Sequence, residues 1–108
     1  MFKKETDMDY QALYTTQKQA DVVMRVICEE NDAVTEVNYY SQSALIVKEH
    51  FSVRGVSVSD SAVYYLVRNA VMRMIEMMPD PKGFIEISSS REMFALLQLV
   101  LADQLKKL

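Results

Sequence analysis

Ser59–Met78 reads S-D-S-A-V-Y-Y-L-V-R-N-A-V-M-R-M-I-E-M-M, which predicts a helix that is apolar around most of its circumference. At 100° per residue, its firmly polar side chains fit within an arc of roughly 140°. Tyr65 and Met72 interrupt even that arc. Such a helix needs cover on nearly all sides, from the rest of the chain or from a second chain. The sequence therefore points to packing and partners rather than to catalysis. The four polar residues of the arc are Arg68, Asn69, Arg73 and Glu76.

Three further helices are predicted around this central one. The first runs from about Asp9 to Glu30, and the second from about Ala33 to Phe51 with Asn31 or Asp32 as its N-cap. The last helix opens near Ser89 and reaches Leu108. Ser89 and Glu92 have the spacing of a capping box, and Ser59 is the expected N-cap of the central helix.

The first two helices each carry an apolar seam with alternating spacings of three and four. Gln17 is the polar member of the first seam. It either lies near the edge of a bundle or makes a polar contact that sets the register across an oligomer interface. The second seam is one residue out of phase, which suits a turn between two helices or one long helix with a stammer. We favour the turn. The seams are Tyr10, Leu13, Gln17, Ala20, Met24 and Ile27, then Val37, Tyr40, Ala44, Val47 and Phe51.

Two short segments flank the central helix and are candidate strands. Residues 53–58 alternate apolar with polar side chains around Gly55, and residues 84–87 read F-I-E-I. If the two segments pair, the long crossover makes them parallel. They are otherwise extended linkers or edges that pair with a partner chain. The segment P-D-P-K-G at residues 79–83 ends the central helix.

The fold expected from these elements is mostly α: one compact four-helix domain over residues 1–108, in which residues 1–8 form a flexible tail. Only two glycines and two prolines occur, too few for a many-stranded fold. We expect a cytoplasmic protein with no membrane segment. The longest apolar run, residues 96–102, is far shorter than the ~20 residues that a membrane span requires.

Charge and cysteine content narrow the function classes. The net charge is −3, whereas a nucleic-acid binder usually presents a basic face. Nucleic acid is therefore an unlikely partner, although an asymmetric surface could still bind it. A single cysteine allows no internal disulfide and no cysteine metal cluster.

Candidate catalytic groups are few. Cys28 is expected to be a buried, inert thiol beside Ile27, because its neighbours Glu29 and Glu30 oppose a thiolate. His50, the single histidine, is expected near the C-terminal end of the second helix, where a cation is favourable. We expect no catalytic residue, no metal site and no cofactor, since no metal-binding or phosphate-binding motif occurs.

Two groups of residues are candidates for binding a protein partner. Residues 26–47 hold no Lys or Arg, and four acidic residues cluster there around the predicted turn, either as a solvated loop or as a docking patch for a basic partner. The second group is a methionine-rich apolar set on the central helix, which could fill the core or line an adaptable interface. The two groups are Glu29, Glu30, Asp32 and Glu36, and Tyr65, Met72, Met74, Met77 and Met78.

The function expected is that of a small non-enzymatic protein-interaction module, such as an adaptor, a chaperone-like protein or an inhibitor. The apolar excess of the last two helices favours a homodimer or another obligate partner. The alternative is a small dimeric DNA-binding regulator, and an enzyme using His50 or Cys28 comes third. The regulator would use Arg54, Arg68, Arg73 and Arg91.

Overall fold

The part of the chain that the structure describes forms five helices. The computed structural model describes the backbone of residues 2–108 and the side chains of residues 11–108. Over that range no strand forms, and β-pairing is limited to an isolated antiparallel bridge between Asn31 and Asn38. The mostly helical class is confirmed, but there are five helices instead of four. They are α1 (Phe2–Glu29), α2 (Tyr39–Ser52), α3 (Asp60–Met77), α4 (Pro81–Ile87) and α5 (Ser90–Lys106).

Helix α3 is the central element, because it packs against α1, α2 and α5. Its inner half is buried among those three helices, so most of the cover that the sequence demands comes from within the chain. The ring of Tyr39 on α2 stacks on Phe94 of α5, with 4.9 Å between ring centroids. The buried residues of α3 are Val63, Val67, Ala70, Val71, Met74 and Ile75.

Both ends of α3 follow from local sequence. The Ser59 side chain accepts a hydrogen bond of 3.2 Å from the Ala62 backbone N–H, which confirms the predicted N-cap. Asp60 in the first turn is favourable at the positive end of the helix dipole. Met78 is extended, as expected for a residue that precedes proline, and the helix ends there.

The strand predicted over residues 53–58 is wrong, because Gly55 ends a helix instead. Gly55 has a φ of +73°, in the left-handed region that glycine adopts without a steric penalty. Its N–H donates to the Ser52 carbonyl at 2.9 Å, and the Val56 N–H donates to the Phe51 carbonyl at 2.9 Å. These two bonds form a Schellman motif at the C-terminus of α2.

The second predicted strand, residues 84–87, is also wrong, since it belongs to α4. Asp80 caps that helix by accepting a hydrogen bond of 3.1 Å from the Gly83 N–H. Pro81 occupies the first helical position, where its missing N–H costs nothing. The same P-D-P-K-G segment that stops α3 therefore starts α4. No residue of α4 is fully buried, although Phe84 and Ile85 pack against the core.

Asn38 joins α1 to α2. Its side-chain Oδ1 accepts a hydrogen bond of 2.7 Å from the Ser41 N–H, and its Nδ2 donates to the Cys28 carbonyl at 3.0 Å. One amide thereby caps the start of α2 and pairs with a carbonyl at the end of α1. The predicted turn between these helices is confirmed. The predicted start of α2 near Ala33 and its N-cap at Asn31 or Asp32 are wrong, because residues 30–38 form the connection.

Helix α1 begins at Phe2, seven residues before the predicted start. The C-terminal part of its seam is confirmed, since Ala20, Met24 and Ile27 are buried. Gln17 is exposed and Leu13 is 48% exposed, because over residues 11–29 the rest of the fold covers α1 only from about Ala20 onward. The side chain of Tyr10, the first member of the predicted seam, lies outside the described residues. The flexible tail predicted for residues 1–8 includes Met1, which lies outside the described residues, and its mobility stays a prediction.

Helix α5 closes the core. Ser89 and Glu92 form the predicted capping box, in which the Glu92 N–H donates to the Ser89 hydroxyl at 3.2 Å. Six α5 side chains are buried against α2 and α3. Among the residues the structure describes, no helix is both long enough and apolar enough to cross a membrane. The buried α5 residues are Met93, Phe94, Leu97, Val100, Leu101 and Leu105.

Asn38→Ala should lower the free energy of unfolding by about 1 to 2 kcal/mol, because it removes the N-cap of α2 and the partner of the Cys28 carbonyl. Asn38→Ser keeps a capping hydroxyl but loses the bond to α1, so its loss should be smaller. Urea denaturation of the three proteins measures both contributions. Equal stability of Asn38→Ala and the wild type would contradict this role of Asn38.

Candidate protein-interaction surface

The structure divides the predicted methionine-rich set into core and surface. Met74 is 1% exposed and lies in the core, so its assignment to a partner surface is corrected to a packing role. Met72 and Met78 are half-buried and pack against the core from outside. Met77 and Tyr65 are 62% and 63% exposed. Two members of the set are thus freely accessible to a partner.

Met77 belongs to a face formed jointly by α3 and α5. One groove of about 450 Å³ lies between these helices, with Arg73 and Met77 on one wall and Leu99 and Asp103 on the other. A second groove of about 320 Å³ continues along the same pair of helices, lined by Asn69 among others. The two grooves share Lys107. We call this surface the α3–α5 face: Leu66, Asn69, Arg73 and Met77 with Leu96, Leu99, Val100, Asp103, Gln104, Lys107 and Leu108.

The α3–α5 face combines exposed apolar side chains with charges of both signs. Leu99 is 69% exposed and Leu108 is 73% exposed, in addition to Met77. Lys107 pairs with Asp103 at 3.1 Å, and Arg73 lies 3.9 Å from the neighbouring Glu76. These exposed ion pairs contribute little to stability.

Leu99 was missed by sequence reasoning, although a signal for it existed. The core-facing stripe of α5 passes through Leu97, Val100 and Leu101, all of which are buried. Leu99 lies off that stripe, and a leucine outside the core-facing stripe of a helix must lie on its surface. A leucine on the polar side of an amphipathic helix therefore indicates an exposed apolar side chain, and Leu99 fits that pattern.

Three neighbouring tyrosines run from α2 onto α3. The Tyr40 and Tyr64 ring centroids are 6.1 Å apart, and Tyr64 and Tyr65 are also 6.1 Å apart in an edge-to-face arrangement. Burial raises the pKa of Tyr40, with smaller contributions from neighbouring groups. Tyrosine presents a large rigid surface with a polar tip and is enriched at protein interfaces. We call Tyr40, Tyr64 and Tyr65 the tyrosine row.

The acidic residues near the turn have two different roles. Asp32 is structural, since its Oδ1 accepts hydrogen bonds of 2.8 Å from the Val34 N–H and 3.0 Å from the Thr35 N–H. These backbone N–H groups, with that of Thr35 first, lower the pKa of Asp32, and Arg91 adds to the effect. Glu29, Glu30 and Glu36 are exposed. Three of the four predicted acidic residues are thus free to face a partner.

The connection that carries these acids is held in a defined shape. The Asp32 N–H donates to the Val37 carbonyl at 2.9 Å, and the Glu36 N–H donates to the Asp32 carbonyl at 2.9 Å. Glu36 has a φ of +58°, which is unusual for a residue with a side chain. At the tip, Val34 is 85% exposed. The connection therefore presents an apolar tip beside acidic side chains.

The four arginines proposed for DNA binding do not stand free as a group. Arg68 forms an ion pair with Asp21 of α1, and that hydrogen bond is the main cause of its raised pKa. Arg73 lies beside Glu76, and the positive charge of Arg91 contributes to lowering the pKa of Asp32. Arg54 donates to the His50 carbonyl at 2.7 Å. Three of the four arginines therefore have an acidic neighbour.

Cys28 and His50 lie in settings that the sequence anticipated only in part. Cys28 is exposed, so its predicted burial is wrong. Partial removal from water and the nearby Glu29 carboxylate raise the pKa of its thiol, which opposes a nucleophilic role. His50 occupies the last turn of α2, as predicted, and its Nδ1 lies 3.3 Å from the Arg54 guanidinium. No cluster of metal-ligating side chains occurs among the described residues.

Comparison with known proteins gives no further indication of the function of this chain. No family model, curated protein or solved structure matches this chain. The surfaces described above are therefore the basis for inferring what the protein does.

Met74→Ala should lower the free energy of unfolding by about 2 to 5 kcal/mol, because it leaves a cavity among buried side chains. Met77→Ala should change it by less than about 0.5 kcal/mol, since that side chain is largely in water. Urea denaturation distinguishes the two. Similar losses for both variants would contradict the division of the methionines into core and surface.

The lowered pKa of Asp32 should make the folding stability of the protein depend on pH. The pKa of Asp32 is lowered in the folded state, so its stabilising effect is present above the unfolded pKa of about 3.9 and is lost as pH falls through the folded value. Asp32→Asn should therefore be less stable than the wild type near neutral pH, and the difference should shrink in acid. Urea denaturation at a series of pH values measures this. A difference that is constant with pH would contradict the role of the charge.

Proposed function

We propose that this protein is a non-enzymatic protein-interaction module, an adaptor, a chaperone-like protein or an inhibitor. The observation that carries the proposal is the α3–α5 face, where Met77 of α3, Leu99 of α5 and Leu108 just beyond the end of α5 are each more than 60% exposed. A cluster of exposed large apolar side chains beside a groove is typical of a surface that binds another protein.

Binding on this face would be driven by removal of apolar surface from water. Each Å² of apolar surface buried contributes roughly 25 cal/mol, before the costs of association are subtracted. The exposed Tyr65 lies one helical turn from Asn69, which lines the second groove, so an aromatic side chain borders the apolar area. Tyr and Arg side chains are enriched among the residues that contribute most to binding.

The acidic connection between α1 and α2 would guide a basic partner. Glu29, Glu30 and Glu36 are exposed in a segment without any Lys or Arg. Charges of this kind accelerate encounter with an oppositely charged surface more than they strengthen the final complex. Their effect should therefore fall as the salt concentration rises.

We propose that the module has no catalytic activity and acts in the cytoplasm. The first part is supported by the raised pKa of the Cys28 thiol, which keeps it protonated. The location in the cytoplasm remains a prediction from the sequence.

The proposal predicts that Leu99→Glu abolishes a specific association while the fold is kept. A charge on this face opposes its burial, whereas the side chain is 69% exposed in the free chain. The wild type and the variant carry the same affinity tag and are crosslinked chemically in cells. The proteins recovered with each are then identified by mass spectrometry. A crosslinked protein found with the wild type should be missing with Leu99→Glu.

The matched control is Leu45→Glu, since Leu45 is 56% exposed on α2. This variant should keep every protein that the wild type captures. Identical sets for all three proteins would contradict the proposal that the α3–α5 face is an interaction surface. Circular dichroism and urea denaturation establish that both variants fold.

A further inference from the structure

We propose that a groove between α1 and α4 binds an acidic segment of a partner protein, one that carries a large apolar side chain among its carboxylates. The groove has a volume of about 210 Å³ and shares no residue with the α3–α5 face, so it is a second and separate docking site. We call it the α1–α4 groove. It is lined by Lys18, Gln19 and Val22 of α1 and by Lys82, Ile85 and Glu86 of α4.

The wall of the α1–α4 groove is apolar although four of its six residues are polar or charged. Val22 is 40% exposed and Ile85 is half-buried against the core, so both present apolar surface to water. The aliphatic stems of Lys18 and Lys82 add to this surface, while their ammonium groups reach toward water. The groove is smaller than the roughly 300 to 1,000 Å³ of pockets that hold small-molecule ligands. Its size therefore suits a single large side chain of a protein.

The rim of the α1–α4 groove is positively charged. Lys18 and Lys82 supply two positive charges against the single negative charge of Glu86, whereas the whole chain has a net charge of −3. No carboxylate among the described side chains forms an ion pair with either lysine. The Lys18 ammonium lies 5.3 Å from the centroid of the Tyr14 ring, a contact that leaves N–H donors free on its other side.

The carboxylates that flank the groove in sequence are engaged elsewhere. Asp21 of α1 pairs with an arginine of α3, and Asp80 accepts a hydrogen bond of 3.1 Å from the Gly83 N–H as the cap of α4. Neither acid therefore offsets the two lysines. Arg25 is exposed three residues after Val22, on the same side of α1, and extends the positive region.

The apolar wall and the charged rim together define the chemistry of the partner. A basic segment is repelled by the two lysines, and an uncharged apolar segment leaves both of them without a partner. The acyl chain of a lipid is too long for a groove of this size. An acidic segment with one large apolar side chain satisfies both features, because that side chain fills the groove while carboxylates on either side accept hydrogen bonds from Lys18 and Lys82.

Titration of the isotope-labelled full chain with short synthetic peptides, followed by amide NMR at physiological salt, tests the proposal. The probe is a peptide with one leucine between two pairs of glutamates. It should shift the amide signals of residues 18–22 and 82–86 along a saturable curve. A peptide with alanine in place of the leucine should bind about tenfold more weakly, because most of the apolar contact is lost. A peptide with lysines in place of the glutamates should leave these signals unmoved.

Charge variants of the full chain test the role of the rim. Lys18→Glu and Lys82→Glu should each weaken binding of the glutamate peptide by about fivefold or more, because each replaces an attraction by a repulsion. Glu86→Gln should strengthen binding by about twofold, since it removes the acid of the groove. The matched control is Lys106→Glu on α5, which changes the net charge equally away from the groove and should bind like the wild type. All four side chains are exposed, so the variants should fold, and circular dichroism verifies this.

The proposal is overturned if the glutamate peptide leaves the groove signals unmoved, or if Lys82→Glu and Lys106→Glu bind it equally. It is also overturned if the lysine peptide shifts the same signals, since the rim would then not select acidic segments. Groove signals that move with protein concentration alone would identify a second copy as the occupant instead. None of these measurements involves the α3–α5 face, so each of these failures leaves the proposed function standing.

Discussion

The fold depends on the burial of the inner half of α3. Val63, Val67 and Val71 are each no more than 1% exposed, and α3 packs against helices that precede and follow it in the chain. Because α1, α2 and α5 all pack against the same helix, none of them can shift without opening the core. The outer half of α3 carries its charged residues and three exposed large side chains, Tyr64, Tyr65 and Met77.

Local sequence signals predicted some parts of this fold and misled at others. The caps at Ser59 and Ser89 are found as expected, because a hydroxyl at an N-cap acts through its nearest backbone neighbours alone. The helix end at Gly55 and the helix start at Pro81 were not predicted, because the segments beside them were interpreted as strands. Alternating side chains around Gly55 suggested a strand, yet its left-handed backbone ends α2, and the segment that stops one helix caps the next. A period-two pattern over six residues is too short to outweigh such signals.

The candidate surface was predicted less well than the fold, and for a physical reason. Hydrophobic spacing places Met74 and Met77 on the same helix but gives no information on which neighbour covers which side. The structure answers this by placing Met74 at 1% exposure and Met77 at 62%. Leu99 lies outside the core-facing stripe of α5, so the pattern that locates the core does not point to it, yet it forms the other wall of the groove. The acidic group was recognised, but the hydrogen bonds that give Asp32 a structural role depend on a turn that no pattern showed.

Methyl NMR of protein labelled at its methionine methyl groups tests the central claim most directly, because one spectrum reports on the inner and outer sides of α3 together. In dilute solution a soluble paramagnetic agent should broaden the Met77 signal and leave the Met74 signal sharp. Equal broadening of the two signals in dilute solution would contradict the account of a buried inner half and an exposed outer half of α3.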